Sequence, residues 1–238
     1  MRPFVSALFL ALACNSAGPA LAQHDEVPVR MDKAPFHIPV FSNEHVIVLN
    51  VNIPPSRNTG YHTHYADSVS VNLSPASRTS QDYGSPEVRA AGAAGDGAIG
   101  NVTFTDVRGG GERTHKVTNV GPTPFHNIAF ILKHDGPSGF TASDRAGATG
   151  YEQILDNDRL RAWRVVLTPG QETGQITQSA PGLRVYVHGG VLDEMVPGSA
   201  DRDMAPNDGD FIWQDAGQTR AVKNSGTTLL EFVEFELK

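Results

Sequence analysis

The segment Gly60-Tyr61-His62-Thr63-His64-Tyr65-Ala66-Asp67 follows a strand-like run, His45 to Ile53, that ends in Pro54-Pro55 and the turn Thr59-Gly60. In an extended chain, residues i and i+2 project to the same side. His62 and His64 therefore present both imidazoles to one face, where a single metal can bridge them if a third donor arrives from a neighbouring strand. A His-x-His pair alone more often decorates a surface than holds an ion, so the third donor decides the reading. His115 supplies it, within Gly111-Glu112-Arg113-Thr114-His115-Lys116-Val117-Thr118-Asn119. Tyr61 and Tyr65 alternate away from the pair and are expected to pack.

Outward from this point, short apolar or alternating runs dominate. Asp67 to Leu73, Val102 to Val107, His126 to Leu132, Arg161 to Leu167, Leu183 to Val187 and Leu229 to Leu237 read as further strands. Clusters of Gly, Pro, Asn and Asp separate them, in keeping with 24 Gly and 16 Pro in 238 residues. Few stretches carry helical periodicity, so the class is all-β, a sandwich or small barrels.

The strands repeat. Asn43-Glu44 aligns with Asn157-Asp158 at an offset of 114 residues, which places Val51 on Val165, Ile53 on Leu167, Pro55 on Pro169 and Thr59-Gly60 on Thr173-Gly174. His115-Lys-Val-Thr-Asn-Val-Gly121 aligns with Arg220-Ala-Val-Lys-Asn-Ser-Gly226 at an offset of 105. Two matches in the same order indicate duplication. The longer loop Gln81–Gly100, rich in Ala and Gly and without evident chemistry, accounts for the difference. The linker is expected over His134 to Gly150.

Both histidine segments resemble the two motifs of the cupin superfamily. The first is a Gly-led turn, His-x-His and then an acidic residue, here Gly60, His62, His64 and Asp67. The second is a Gly-containing turn and a His with Asn four residues on, here His115 and Asn119. The resemblance implies two tandem cupin-like (jelly-roll) antiparallel β-barrels, residues 23–140 binding metal and 141–238 forming a degenerate partner. It also implies one divalent transition metal ion on His62, His64 and His115, with Fe(II) favoured over Zn, Ni, Mn or Cu. Asp67 departs from the motif, standing three residues after His64 where four or five is usual. Strand parity gives Ser68 the face of His62 and His64. Asp67 then either reaches the metal through a bulge or orients a ligand imidazole.

In the second half the repeat puts Ile176, Gln178 and Arg220 at the positions of His62, His64 and His115, so no transition metal is expected there. Arg220, always protonated, is expected in a structural half, or else on an anion in a metal-free pocket; Trp163 and Trp213 are expected to pack that half. His126 reads as a packed or rim histidine, and Arg113 as either a turn residue or an anion contact at the mouth. His24, His37, His45 and His188 lack a partner at ligand spacing, and His134 reads as a loop residue.

The N-terminus reads as a cleaved secretory signal: Met1-Arg2, an apolar Phe4 to Ala13 too short to span a bilayer, and Ala20-Leu21-Ala22 before Gln23. A lipoprotein-like Ala11-Leu12-Ala13-Cys14 is the rival. A secreted or periplasmic protein is thus expected, with residues 1–22 removed. That removal takes Arg2 and Cys14 and shifts the formal net charge from −7 to −8. Disulfides are then excluded, and the acidic balance without a basic run excludes nucleic acid. The expected partner is a small-molecule ligand or substrate, bound by a monomer or homodimer with no transmembrane segment. Three functions fit: an Fe(II)-type dioxygenase, a metal-dependent isomerase or lyase, and a non-catalytic metal or small-ligand binding protein.

Overall fold

The structure, a computed structural model, describes residues 26–75, 77–91 and 97–238. The expected signal segment and Cys14 lie outside the described residues. The chain first forms β1 (Val29–Arg30), β2 (His37–Ser42), β3 (Val46–Ile53), β4 (His62–His64), β5 (Ser68–Asn72), β6 (Arg78–Asp82) and β7 (Val88–Ala91). Then come β8 (Val102–Thr105), the single helical turn α1 (Val107–Gly110), β9 (Arg113–Asn119) and β10 (Phe125–Leu132). After a connection without strands follow β11 (Tyr151–Asp156), β12 (Leu160–Leu167), β13 (Ile176–Thr177), β14 (Gly182–His188) and β15 (Leu192–Met195). The last are β16 (Arg202–Met204), β17 (Phe211–Gln214), β18 (Thr219–Asn224) and β19 (Leu230–Leu237).

Sheets of order β1-β4-β9-β6-β7 and β2-β3-β10-β5-β8 face each other in the first half. Sheets of order β11-β12-β19-β14-β17 and β13-β18-β15-β16 do so in the second. No sheet among the described residues mixes strands of the two halves, and every pairing except the parallel β1–β4 is antiparallel. The fold class is therefore all-β, built of antiparallel barrels. No helix among the described residues is long and apolar enough to cross a membrane.

Period-2 geometry explains why several strands read as continuous apolar runs. In β10, Phe125, Ala129 and Ile131 pack inside the first barrel with Leu49, Val51 and Ile53. The alternate residues Ile128, Phe130 and Leu132 pack outward against Leu160, Leu183, Val185, Val233 and Phe235 of the second half. Each central sheet is thus buried on both faces, and the two halves share one apolar layer.

Hydrogen bonds repeat at the same offsets as the sequence. Asn119 Nδ2 donates to Ile53 O and Thr123 O, both at 2.8 Å, and Asn224 Nδ2 does the same to Leu167 O and Thr228 O, again at 2.8 Å. Thr59 Oγ1 accepts from Val117 N, and Thr173 Oγ1 from Val222 N, each at 3.0 Å.

Three sequence expectations are corrected. The Val102 run ends as a strand at Thr105, because the Asp106 side chain accepts from Gly109 N at 2.6 Å and caps α1. The Gln81–Gly100 loop carries β7 and, on it, Arg89. The connection 134–150 carries no strand, and Arg145 on it is buried inside the second barrel. Trp163 is a core residue, but partly buried Trp213 turns to the other half, its ring 5.7 Å from that of His45 and 6.2 Å from that of Phe41.

Candidate metal centre

Strand β4 is short and pairs antiparallel with β9, in a register that sets His62 opposite His115 and His64 opposite Arg113. Alternation turns His62 and His64 into the barrel, and the register brings His115 to the same point. The three side chains offer ligand nitrogens that all lie within 4.8 Å of one another. The Nε2 atoms of His64 and His115 are 3.1 Å apart. Two nitrogens that share an ion at about 2.0–2.1 Å stand roughly 3.0–3.4 Å from each other, so this pair already has the spacing a metal requires.

The opposite nitrogen of each ring is tied back. His62 Nδ1 meets Gly60 O at 3.4 Å, and since a carbonyl only accepts, this ring carries its proton on Nδ1 and its lone pair on Nε2. His64 Nδ1 shares a hydrogen bond of 3.2 Å with Ser68 Oγ, and His115 Nδ1 one of 3.0 Å with Ser80 Oγ. Such partners fix tautomer and ring orientation at metal sites. Gly60 itself has φ 63°, a left-handed conformation that suits glycine. It also turns the carbonyl beneath the His62 ring.

Burial, followed by the mutual influence of charged neighbours, pushes the imidazoles down, His62 to about 3 and His64 to about 4, with His115 lowered likewise. At neutral pH all three are uncharged donors. The donor set therefore fits a divalent transition metal: neutral nitrogens, preset tautomers and an open side toward a cavity of about 360 Å³.

Asp67 takes neither of its two expected roles. Its Oδ1 accepts from Val107 N at 2.8 Å and Arg108 N at 2.9 Å, and its Oδ2 stands 2.9 Å from Arg159 Nη1 of the second half. The carboxylate caps α1 and links the halves. Ser68, on the face that parity assigned, orients His64 instead.

The structure also brings in residues to which the sequence gave no weight. His37, buried at the start of β2, has its ring 4.8 Å from His62 and its Nδ1 3.1 Å from Pro35 O. Its neighbour Phe36 has φ 65°, a costly conformation for a bulky residue. Ser80, Arg78 and Arg89 also line the cavity, along with Arg113. Only pairing register reveals His37, Ser80, Arg78 and Arg89, since none stands at ligand spacing, whereas Arg113 was already a candidate at the mouth from the sequence. His126 points the other way, toward Gly209 and the second half, with Nε2 3.0 Å from Asn50 Oδ1.

No protein-family model matches the chain, and no curated protein matches it in sequence. Solved structures do match in shape. AerE from Microcystis aeruginosa superposes with a TM-score of 0.60 at 12% identity, over 86% of this chain and 98% of that one. A Cupin 2 conserved barrel domain protein from Leptotrichia buccalis superposes with a TM-score of 0.52 at 8% identity, over 84% and 88%. The chain has the cupin fold. Salicylate 1,2-dioxygenase from Pseudaminobacter salicylatoxidans shares it, with a TM-score of 0.53 at 14% identity over 81% and 71%.

The C-terminal sheets repeat the strand order with other residues at the positions of the histidines. Register sets Ile176 opposite Arg220, where the first barrel has His62 opposite His115. It likewise sets Arg184 opposite Glu234, where the first has Ser70 opposite Ala129. Glu194 stands opposite Val222 as Ser80 stands opposite Val117. Small residues leave a cavity in one barrel, and large charged ones fill the other. Arg184 reaches Glu234 at 2.6 Å and Glu194 at 3.1 Å, and Arg220 reaches Glu234 at 3.1 Å. Arg145 reaches Glu236 at 2.5 Å and also pairs with Glu234. Burial alone would push the Glu234 carboxyl up, but the guanidiniums of Arg184, Arg220 and Arg145 outweigh it and hold it well below the ordinary range. Arg220 thus finds its anionic partners within the chain.

Proposed function

We propose that residues 23–140 bind one divalent transition metal ion through His62, His64 and His115 and act as an Fe(II)-type dioxygenase on a small organic molecule. Residues 141–238 are proposed as a degenerate cupin barrel without metal, and residues 1–22 as an export signal. The observation that carries the reading is the convergence of three uncharged imidazoles, each with Nδ1 engaged, on one cavity. A metal bound there would supply open coordination positions for substrate and oxygen. The chain's own residues hold and orient: Gly60, Ser68 and Ser80 set the rings, and Val51, Ile53, Phe125 and Ala129 give the cavity an apolar wall. A dioxygenase among the fold neighbours is in keeping with this choice, and the oxalate decarboxylases that share the fold, with TM-scores of 0.55 and 0.56, mark its rival, a metal-dependent lyase.

Metal analysis of the purified protein tests it, with oxygen uptake measured over small phenols, diketones and thiols. Stoichiometric metal in the wild type, its loss in His62→Ala and substrate-dependent uptake with Fe(II) are expected. A wild type that takes up no metal overturns the reading altogether. Bound Fe(II) without oxygen uptake removes the dioxygenase and leaves isomerase or lyase chemistry, in which a metal polarises a carbonyl. Cytoplasmic retention of a tagged full-length chain would refute export.

A further inference from the structure

The two halves meet along a pair of related seams that differ in chemistry. Across the sheet of the first half, Ile38, Asn50, Ile128 and Val71 stand side by side on the face turned to the second half. Glu152, Arg164, Val233 and Val185 stand at the matching register of the second half, at the same offsets of 114 and 105 residues that the sequence shows. Each half also lays a left-handed glycine on the other, Gly209 (φ 85°) on His126 and Gly100 (φ 77°) on Glu231. At one seam Arg164 and Glu231 form an ion pair of 2.6 Å. At the other their counterparts are uncharged: His126 Nε2 donates to Asn50 Oδ1 at 3.0 Å, and burial lowers the imidazole, which is neutral at pH 7.

The uncharged seam opens into a cleft of about 500 Å³, walled from both halves by Val40, Ile128, Met204, Pro206, Phe211 and Ile212. Ile38 and Val40 are 58% and 46% exposed, so the apolar surface continues out of the cleft onto β2. Scattered exposed apolar side chains are ordinary, but a patch continuous with an apolar cleft marks a binding surface. Pro39, between these two on an edge strand, is a residue that blocks addition of a further strand. That favours a small molecule over a second chain. Among the described residues no Lys, Arg or Glu lines the cleft. Its carboxylate, Asp210, is turned to Asn207, whose N and Nδ2 donate to Oδ2 at 2.8 and 3.2 Å. Asn50 lines the cleft too, and while His126 occupies its Oδ1, its Nδ2 donates to no atom of the described residues.

We infer that this cleft is a second binding site, separate from the histidine triad, for a neutral small molecule with an apolar body and one carbonyl oxygen that accepts from Asn50 Nδ2. Apolar walls with a single placed polar group are the usual construction of such sites, and the volume falls within their range of roughly 300–1,000 Å³. A charged ligand would leave water for walls that offer no opposite charge free to meet it. The site stands apart from the metal centre by strand alternation. Asn50 faces the second half, whereas its neighbour Val51 lines the triad cavity. Duplication thus left one seam closed by charge and the other able to take a guest.

Two-dimensional amide NMR spectra of the purified protein test it, with acetophenone, ethylbenzene, benzoate and benzylammonium as probes. Acetophenone is expected to shift the Asn50 side-chain amide and the backbone amides of residues 204–212 saturably, and equally in zinc-loaded and chelator-treated protein. Benzoate and benzylammonium are expected to bind at least roughly 10-fold more weakly, as charges that lose water without gaining a partner. Asn50→Leu is expected to weaken acetophenone about 3- to 10-fold, the range for one lost hydrogen bond, and not to weaken ethylbenzene. Ala205→Trp, which fills the cleft from an exposed position, is expected to abolish binding of both. It carries the test alone if circular dichroism shows that Asn50→Leu does not fold. Shifts confined to the triad cavity, a charged probe that binds as tightly as acetophenone, or acetophenone binding that survives Ala205→Trp overturns the inference.

Discussion

Ser80 shows how much of a site can rest on a residue with no distinctive chemistry of its own. Its hydroxyl faces His115 Nδ1 at 3.0 Å, and in the other barrel Glu194 stands at the equivalent register. Loss of such a partner typically weakens a metal site 10- to 100-fold. Ser80→Ala is therefore expected to lower metal affinity by about that factor, read by competition with a chelator, while Ser85→Ala, outside the cavity, changes nothing. The imidazoles carry a second expectation. Their folded values, about 3 for His62 and about 4 for His64, lie below the ordinary 6.5. An unfolded chain then binds protons that the folded one refuses, so metal-free protein keeps this stability above pH 6.5 and loses it progressively as pH falls toward 4 and then 3. Urea midpoints should hold from pH 7.5 to about 6.5 and then fall as the pH drops to 4; a flat profile below pH 6.5 would contradict neutral buried rings.

Strand β19 gives the clearest element-scale lesson. Leu230, Phe232, Glu234 and Glu236 share its inward face, while Val233, Phe235 and Leu237 pack outward on the first half. Glu234 is fully buried and meets three guanidiniums. Breaking one member of such a cluster strands the others, at a cost of about 3–5 kcal/mol. Glu234→Gln should lose that much stability in equilibrium unfolding yet keep its metal, since the triad lies in the other barrel. Loss of metal from a folded Glu234→Gln protein would show that the barrels are coupled more tightly than their contacts suggest. By contrast, exposed Arg202 pairs with Glu194 at 3.4 Å, and its removal should cost under about 1 kcal/mol.

At the scale of the molecule, an apolar layer and the ion pair Asp67–Arg159 join the two halves. Asp67→Asn removes the charge opposite a buried Arg and weakens the α1 cap, so a loss of about 3–5 kcal/mol is expected with metal content unchanged. Reduced metal stoichiometry in that variant would return Asp67 to the site. The sequence alone determined the all-β class, the repeat and the His62–His64 pair, because these depend on local period and on spacing along one strand, whereas His115 was named by the second motif and brought to the pair by the register of β4 on β9. His62 and His64 are set by alternation, and Asn119 and Asn224 by a turn each closes within a few residues. What Asp67, Ser80, His37 and the arginines do was decided only by tertiary structure. Their partners lie on strands distant in sequence, and a register shift of one residue would turn each to the opposite face. The same holds for the contrast between barrels. It arises where Ser70 meets Ala129 across one sheet and Arg184 meets Glu234 across the other, pairings that exist only once the strands are side by side.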